Sequence, residues 1–385
     1  MVYAHPEISF WFNKNSENFI VEELPLYPFA HTGEWLMLKI RKKGISTPEM
    51  IKIFSTITGI KVKEIGYAGL KDKEGLTFQW ISVPRKYRTQ VHTFSHPQIK
   101  IMEEDLHRNK LKIGHLAGNR FFIRLKKVLP SEAKKLYGVL KQIKKIGIPN
   151  FFGSQRFGKF GNNWQMGAEI LEGQKRVRNR YLRKFLINAY QSKLFNDWLA
   201  YRIRLSNLLE LSKIELKKIG VPEQIIYFSQ SQLHPFKLLP GEVMVHYPIG
   251  KFFTIDLIEK NGKVEKEEKM DGIKREFERF YFHQTTFTGP LPGRKVKKAE
   301  GVAGKIERRF WQEIPVDGDR RKGWIFPEII EVRYLKERAH FELVFVLPKG
   351  AYGTVLLKIL GKGVKPFLTE TFSNFDFSDF LSTLS

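Results

Sequence analysis

The chain has 385 residues, room for two or three domains, and its 66 Lys and Arg against 40 Asp and Glu set a formal charge of +26. With 42% hydrophobic and 14% aromatic residues it is a folded chain and not a disordered basic tail, and its charge favours a polyanionic partner, nucleic acid or an acidic membrane surface. It contains no cysteine, which excludes disulfides, thiolate zinc sites, iron–sulfur clusters and a Cys nucleophile.

The opening stretch, MVYAHPEISFWFNKNSENF, has no apolar segment after a basic start. No run of about 18 apolar residues follows anywhere, the length a membrane-spanning helix needs. A soluble, cytoplasmic protein with no membrane partner is expected. In chain order, WLMLKIRK (35–42) alternates and is rich in strand formers. Residues 46–58 predict a helix, with Pro48 in its first turn and Ile51, Phe54 and Ile57 inward. TFQWISVP (77–84) and RFFIRLKKV (120–128) predict two further strands. Ser131 can cap a helix over 132–146, whose Leu136, Val139, Leu140 and Ile143 share a face and whose C-terminal cap is Gly147. FFGSQRFGKFGNNW (151–164) interleaves aromatics, glycines and cations, as a surface would that stacks bases and holds phosphates. A helix over 189–204 clusters Leu194, Phe195, Trp198 and Leu199. The segment 205–325 differs in composition, and its charge-dense part, 258–280, predicts a solvated excursion. HFELVFVLP (340–348) predicts a last strand, and the tail 371–385, with four phenylalanines and no Lys or Arg, predicts a segment that folds back or moves freely. Strands and helices mix without a βαβ rhythm, so the predicted class is α+β.

The motifs of many enzymes are missing: there is no P-loop, no Rossmann glycine fingerprint, no H-E-x-x-H and no G-x-S-x-G. The ten histidines show no metal-ligand spacing. In GYAGLKDKEGLTFQW (66–80), Asp72 stands between Lys71 and Lys73. Nearby cations favour the ionised carboxylate, as a nucleophile or base beside a phosphodiester would need. By residue type alone the same K-D-K-E-G is also an ordinary exposed turn.

AGLKDKEGLTFQW (68–80) resembles the signature of the TruD family of tRNA pseudouridine synthases. Six more motifs of that family recur in order: ENFIVEE (17–23), KLKIGHLAGNRFFIRL (110–125), GIPNFFGSQRFG (147–158), NAYQSKLFN (188–196), TGPLPG (288–293) and FVLPKGAYGTVLL (345–357). The resemblance spans about residue 17 to 359. It implies isomerisation of uridine to pseudouridine in tRNA, with uridine 13 of the D arm as the usual target, and neither cofactor nor metal. It implies Asp72 as the catalytic carboxylate. Phe19, Asn150, Phe152 and Tyr352 would line the uridine pocket, Asn150 reading the uracil edge and Tyr352 standing where many members carry Phe. Residue types alone leave Asn150 open as a turn residue and Phe152 as core. Lys71, Lys73 and Arg156 are candidate contacts to RNA or to the carboxylate. Two departures stand out: Asn18 replaces an Asp common before the motif Phe, and Lys14 lies one place off a lysine that many members carry at the position of Asn13. The implied architecture is a catalytic domain with a mixed, mostly antiparallel sheet, made of 1–175 and 327–385, interrupted by a TRUD insertion at 176–326. The rivals are a non-catalytic RNA-binding protein or RNA chaperone on the same scaffold, and a nuclease, which would want paired carboxylates for metal.

Overall fold

A computed structural model describes residues 3–71, 73–255 and 266–369, with side chains from residue 273 onward in the last segment. Asp72, the first part of the 258–280 segment and the tail 371–385 lie outside these residues. The strands are β1 Phe19–Pro25, β2 Trp35–Lys43, β3 Gly66–Tyr67, β4 Leu76–Pro84, β5 Ile99–His107, β6 Leu116–Leu125, β7 Ile148–Pro149, β8 Val243–His246, β9 Phe252–Thr254, β10 Thr285–Leu291, β11 Asp319–Lys322, β12 Trp324–Ile325, β13 Glu328–Leu335 and β14 His340–Pro348. The helices are α1 Thr47–Thr58, α2 Arg88–His92, α3 Pro130–Ile146, α4 Asn163–Leu171, α5 Arg180–Leu208, α6 Lys213–Lys218, α7 Glu223–Gln230, α8 Lys266–Tyr281, α9 Gly301–Arg309, α10 Gly353–Lys362 and α11 Lys365–Thr369.

Compactness divides the chain into two units. One comprises Ile8–Leu140 and Pro327–Gly350; the other comprises Met1–Glu7, Lys141–Phe326 and Ala351–Ser385. The first is built on an eight-stranded sheet in the order β13-β14-β6-β1-β4-β2-β5, with β3 added to β4. β1 and β4 run parallel and the other pairs antiparallel, so the class is α+β with a mixed, mostly antiparallel sheet. Leu36, Leu38 and Ile40 of β2 pack with Met50, Ile51 and Phe54 of α1. α1 starts where its sequence asks it to: Ser46 accepts the Glu49 N–H, and Glu49 answers by accepting the Ser46 N–H. Gly59 ends it in the left-handed conformation. Ile57 is not inward as expected but 47% exposed. The 3.6-residue period set by Ile51 and Phe54 brings Thr58, seven residues after Ile51, to the buried face instead.

β6 starts four residues before the predicted strand, because Gly118 can pair with Pro348 where a Cβ would collide with the Leu347 carbonyl. It stops at Leu125 as Lys127 turns to φ +57°. α3 starts at Pro130, which makes Ser131 a helical residue and not the cap; proline has no N–H to lose and a preset φ at a first helical position.

The second unit centres on α5, which runs well beyond both ends of its predicted span, starting at the Asn179 side chain that accepts the Tyr181 and Leu182 N–H groups. Its Trp198 lies on Gly289 of β10, at a point where any side chain would meet the indole. Strands β11-β10-β8-β9 form a second sheet, and β12 pairs with β7. The segment expected as a solvated excursion carries α8 in its later part, and Ile273, Phe277 and Phe280 are buried. Dense charge on the outer face had hidden a 4-and-3 apolar spacing.

His234 sits in this core against Phe280 and Trp324, with Nε2 2.9 Å from the Ile146 carbonyl. Burial drops its pKa to about 4. The folded state therefore stays neutral while the unfolded chain takes up a proton below its ordinary value near 6.5. Stability should be whole above pH 6.5 and fall by roughly 3 kcal/mol as the pH drops to about 4. Urea unfolding at pH 7 and 4.5 checks this, and His234→Gln should flatten the loss.

Candidate active site

In the first unit the loop that carries position 72 is anchored on both sides. The Lys71 N–H donates to Thr47 Oγ1 at 2.8 Å, and that hydroxyl donates to Gln79 Oε1 at 2.8 Å. Lys42, buried in β2, holds the Ile45 carbonyl at 2.7 Å and reaches the Lys71 carbonyl at 3.5 Å. Two side chains from the start of α1 and the end of β2 thus fix the peptide before position 72.

The side chain of Lys71 turns inward to Glu23 Oε2 at 2.6 Å, and both ends of the pair are buried. Lys71 therefore meets a carboxylate, but that of Glu23, and its ammonium is occupied within the unit. Burial pushes the Glu23 carboxyl up, and Lys71 and the Trp80 N–H pull it back only in part. Lys73 is exposed, 3.9 Å from Glu49. Phe19 opens β1 and is buried, with its ring edge-on to Phe12 at 6.0 Å and tilted against Phe121 at 6.1 Å. Gly75, at φ +85°, lies against the Phe19 carbonyl and ring, where a Cβ would come within 2.6 Å. The loop after position 72 can press on Phe19 only because that residue is glycine. Lys14 stands over the Phe19 ring at 5.1 Å and 3.5 Å from Glu74. Its one-place shift in sequence thus still brings it to this loop. The buried Asn18 amide has no hydrogen-bond partner among the described residues.

The second unit gathers Asn150, Phe152, Arg156 and Tyr352. The guanidinium of Arg321 joins them: it donates to the Asn150 carbonyl at 3.0 Å and to Asn150 Oδ1 at 2.8 Å, and it lies 3.9 Å from the centre of the Phe152 ring. Asn150 Nδ2 donates to the Lys322 carbonyl at 2.9 Å. The amide is thereby fixed in orientation, with one N–H and one oxygen lone pair still uncommitted. Phe152 is locked through its peptide: its N–H donates to Asn196 Oδ1 at 2.8 Å and its carbonyl accepts from Asn196 Nδ2 at 3.1 Å. Arg156 approaches the same ring at 5.5 Å and donates to Ser192 Oγ at 3.0 Å. Tyr352 stands edge-on to Phe152 at 6.1 Å and packs over Gly153, whose missing side chain makes room for it.

Two guanidinium groups on one aromatic ring repel each other and are partly stripped of water. Burial lowers the pKa of Arg156. It brings Arg321 down to about 10; Tyr352 opposes that fall and Arg156 adds to it. Both remain charged at neutral pH, and among the described residues Arg156 has no carboxylate within ion-pair distance. The cluster offers a planar apolar face, a fixed amide and positive charge, a combination suited to a base joined to a phosphate. Beside Phe152 lies a cavity of about 300 Å³ walled by Phe157, Trp164, Lys193, Thr354 and Phe367 among others. Lys193 is tied there to Asp197 at 2.6 Å. Burial raises the Asp197 carboxyl to about 6. No group of metal-ligating side chains occurs among the described residues.

Sequence reasoning missed Arg321, Asn196 and Glu23. Arg321 shows in the sequence only as part of a basic run at 320–322, Glu23 follows Phe19 within ENFIVEE, and Asn196 ends NAYQSKLFN, a motif to which no site residue is assigned.

The family model "tRNA pseudouridine synthase D (TruD)" matches residues 2–178. The tRNA pseudouridine synthase D of Wolinella succinogenes is 48% identical over 92% of this chain and 96% of its own length. That of Nitratiruptor sp. is 48% identical over 92% and 95%, and that of Helicobacter pylori 42% over 92% and 94%. A solved structure assigned as the TruD of Methanosarcina mazei shares the fold, with a TM-score of 0.63 over 94% of this chain and 96% of that one at 19% identity. Related along nine-tenths of its length to these enzymes, the chain belongs to the TruD family of tRNA pseudouridine synthases.

Proposed function

We propose that this protein converts uridine to pseudouridine in tRNA, at uridine 13 of the D arm, with Asp72 as its catalytic carboxylate and without a cofactor. The observation that carries the reading is family membership together with an intact AGLKDKEGLTFQW around Asp72. The reaction is an isomerisation. The bond from C1′ to N1 breaks, the uracil turns, C5 bonds to C1′, and the proton leaving C5 is balanced by one gained at N1. The carboxylate either adds to the sugar or takes its 2′ proton, and each route needs it ionised. The clamp on the Lys71 peptide supports this role, since a catalytic group must be held within a few tenths of an ångström of its working position.

Phe152 and Tyr352 supply apolar surface for the extruded base, Phe19 backs the loop that carries Asp72, and the free N–H and lone pair of Asn150 match the carbonyl and N3–H of uracil. Arg156 and Arg321 hold phosphate beside it. Residues 1–175 and 327–385 form the catalytic domain and 176–326 the insertion. No described helix is long and apolar enough to cross a membrane, and a cytoplasmic location follows from the tRNA substrate. Tritium release from C5-labelled tRNA tests the activity, and mapping the product position tests the site; a tRNA still unmodified at uridine 13 would refute it.

Taking a base out of its stack costs a few kcal/mol, and stacking on an aromatic returns roughly 1–3 kcal/mol per base. Tyr352→Phe should keep activity within about threefold, because the ring provides the contact. Tyr352→Ala should lose about 10- to 100-fold in kcat/KM. Equal losses in both variants would give the hydroxyl a chemical part.

A further inference from the structure

The start of α5 has no fully buried side chain before Leu186. Residues 180–185 are all exposed, from Tyr181 at 90% to Phe185 at 39%, and buried core begins at Leu186. Ordering helical residues costs conformational entropy, which burial normally offsets. The same stretch, KRVRNRYLRKF (175–185), holds six cations and no acid. Lys175 is paired with Glu169 at 3.3 Å. Arg176, Arg178, Arg180, Arg183 and Lys184 meet no carboxylate within ion-pair distance among the described residues. Cations crowded at a helix start repel each other and face the positive end of the helix dipole. Unpaired cations crowded in this way cost the fold more than they return to it, which points to a use on the surface.

The stretch is joined to the pocket residues by alternating rings and guanidinium groups. Arg321 lies on Phe152 at 3.9 Å, Arg156 lies over Phe152 at 5.5 Å, and Arg156 also lies over Phe185 at 5.7 Å. The ladder leads from Asn150 to an exposed surface with two aromatic rings among four cations. Cations alone would suit any polyanion. Rings interleaved with them suit a chain that alternates phosphates with flat bases.

We propose that the exposed start of α5 is a docking platform for the single-stranded RNA next to the reacting nucleotide. Tyr181 and Phe185 stack its bases, and Arg178, Arg180, Arg183 and Lys184 hold its phosphates. This deepens the reading above and rests on RNA being the substrate.

The test compares wild type with Tyr181→Ala, Tyr181→Phe and the double variant Arg180→Gln/Arg183→Gln, using a tRNA transcript. Fluorescence anisotropy gives Kd at several salt concentrations and tritium release gives kcat and KM. Tyr181→Ala should raise Kd and KM about 5- to 100-fold with kcat within twofold, and Tyr181→Phe should restore wild-type values. The double variant should lower the slope of log K against log salt by about 1.4, two single-strand phosphates. Unchanged Kd in Tyr181→Ala would overturn the proposal. So would a loss only in the double variant matched by equal loss of binding to phosphatidylserine vesicles, since that describes a plain polyanion surface. A fall in kcat at constant KM would place Tyr181 in the chemistry and also overturn it. If wild type makes no pseudouridine, the assigned activity fails while the anisotropy measurements still decide this platform.

Discussion

Asp72→Asn is expected to abolish pseudouridine formation, by at least about 1,000-fold, while tRNA affinity and the unfolding midpoint stay near wild type. Loss of a nucleophile or of a positioned general base costs this much or more in other enzymes. The amide has the carboxylate's shape but neither adds to the sugar nor takes its proton. The loop keeps its anchors, since Lys71 is held through its backbone by Thr47 and through its ammonium by Glu23. Tritium release over hours, with anisotropy on the same sample, measures both halves of the expectation. Turnover near the wild-type rate would remove Asp72 from the mechanism.

Lys71→Met is expected to destabilise the protein by about 3–5 kcal/mol, the usual cost of stranding one member of a buried ion pair. Glu23 is 2% exposed, and its only other hydrogen-bond partner among the described residues is the Trp80 N–H at 3.3 Å. Its carboxyl is already raised by burial with Lys71 present, and without that ammonium it rises further. A carboxyl raised in the folded state binds its proton there before the unfolded chain does, so acid relieves the penalty. The Lys71→Met deficit should therefore be largest at neutral and alkaline pH and shrink as pH falls through the raised Glu23 value. The thermal midpoint should drop by about 5 °C at pH 7.5, and the double variant Glu23→Gln/Lys71→Met should recover most of it. A deficit independent of pH would mean that the loss comes from packing of the lysine stem and not from the stranded charge.

Much of this protein was legible before its structure. The strand over 340–348 matches the residues that pair with β6 and β13, since alternation and β-branched composition are local properties. The 46–58 helix was legible in Pro48 and in the spacing of Ile51 and Phe54, and the structure adds the caps, Ser46 with Glu49 and Gly59, each acting on its own neighbourhood. The family, and the motifs holding Asp72, Asn150, Phe152 and Tyr352, were legible for a different reason: they are short contiguous strings.

What only the tertiary structure decided are the partners of those residues. Arg321 reaches Asn150 across 171 positions, Lys71 reaches Glu23 across 48 and Asn196 reaches Phe152 across 44. No periodicity records such pairs, because each depends on how strands and helices close on one another and which side chains then lose their water. The sequence shows Lys71 flanking a candidate carboxylate with its charge free, and only burial against Glu23 turns that charge inward. It likewise shows Arg321 as one cation in a basic run, and only the register of β11 on β10 and the stacking on Phe152 make it the residue that fixes Asn150. A side chain's chemistry is local, but whether its charge faces water or a partner is settled by packing.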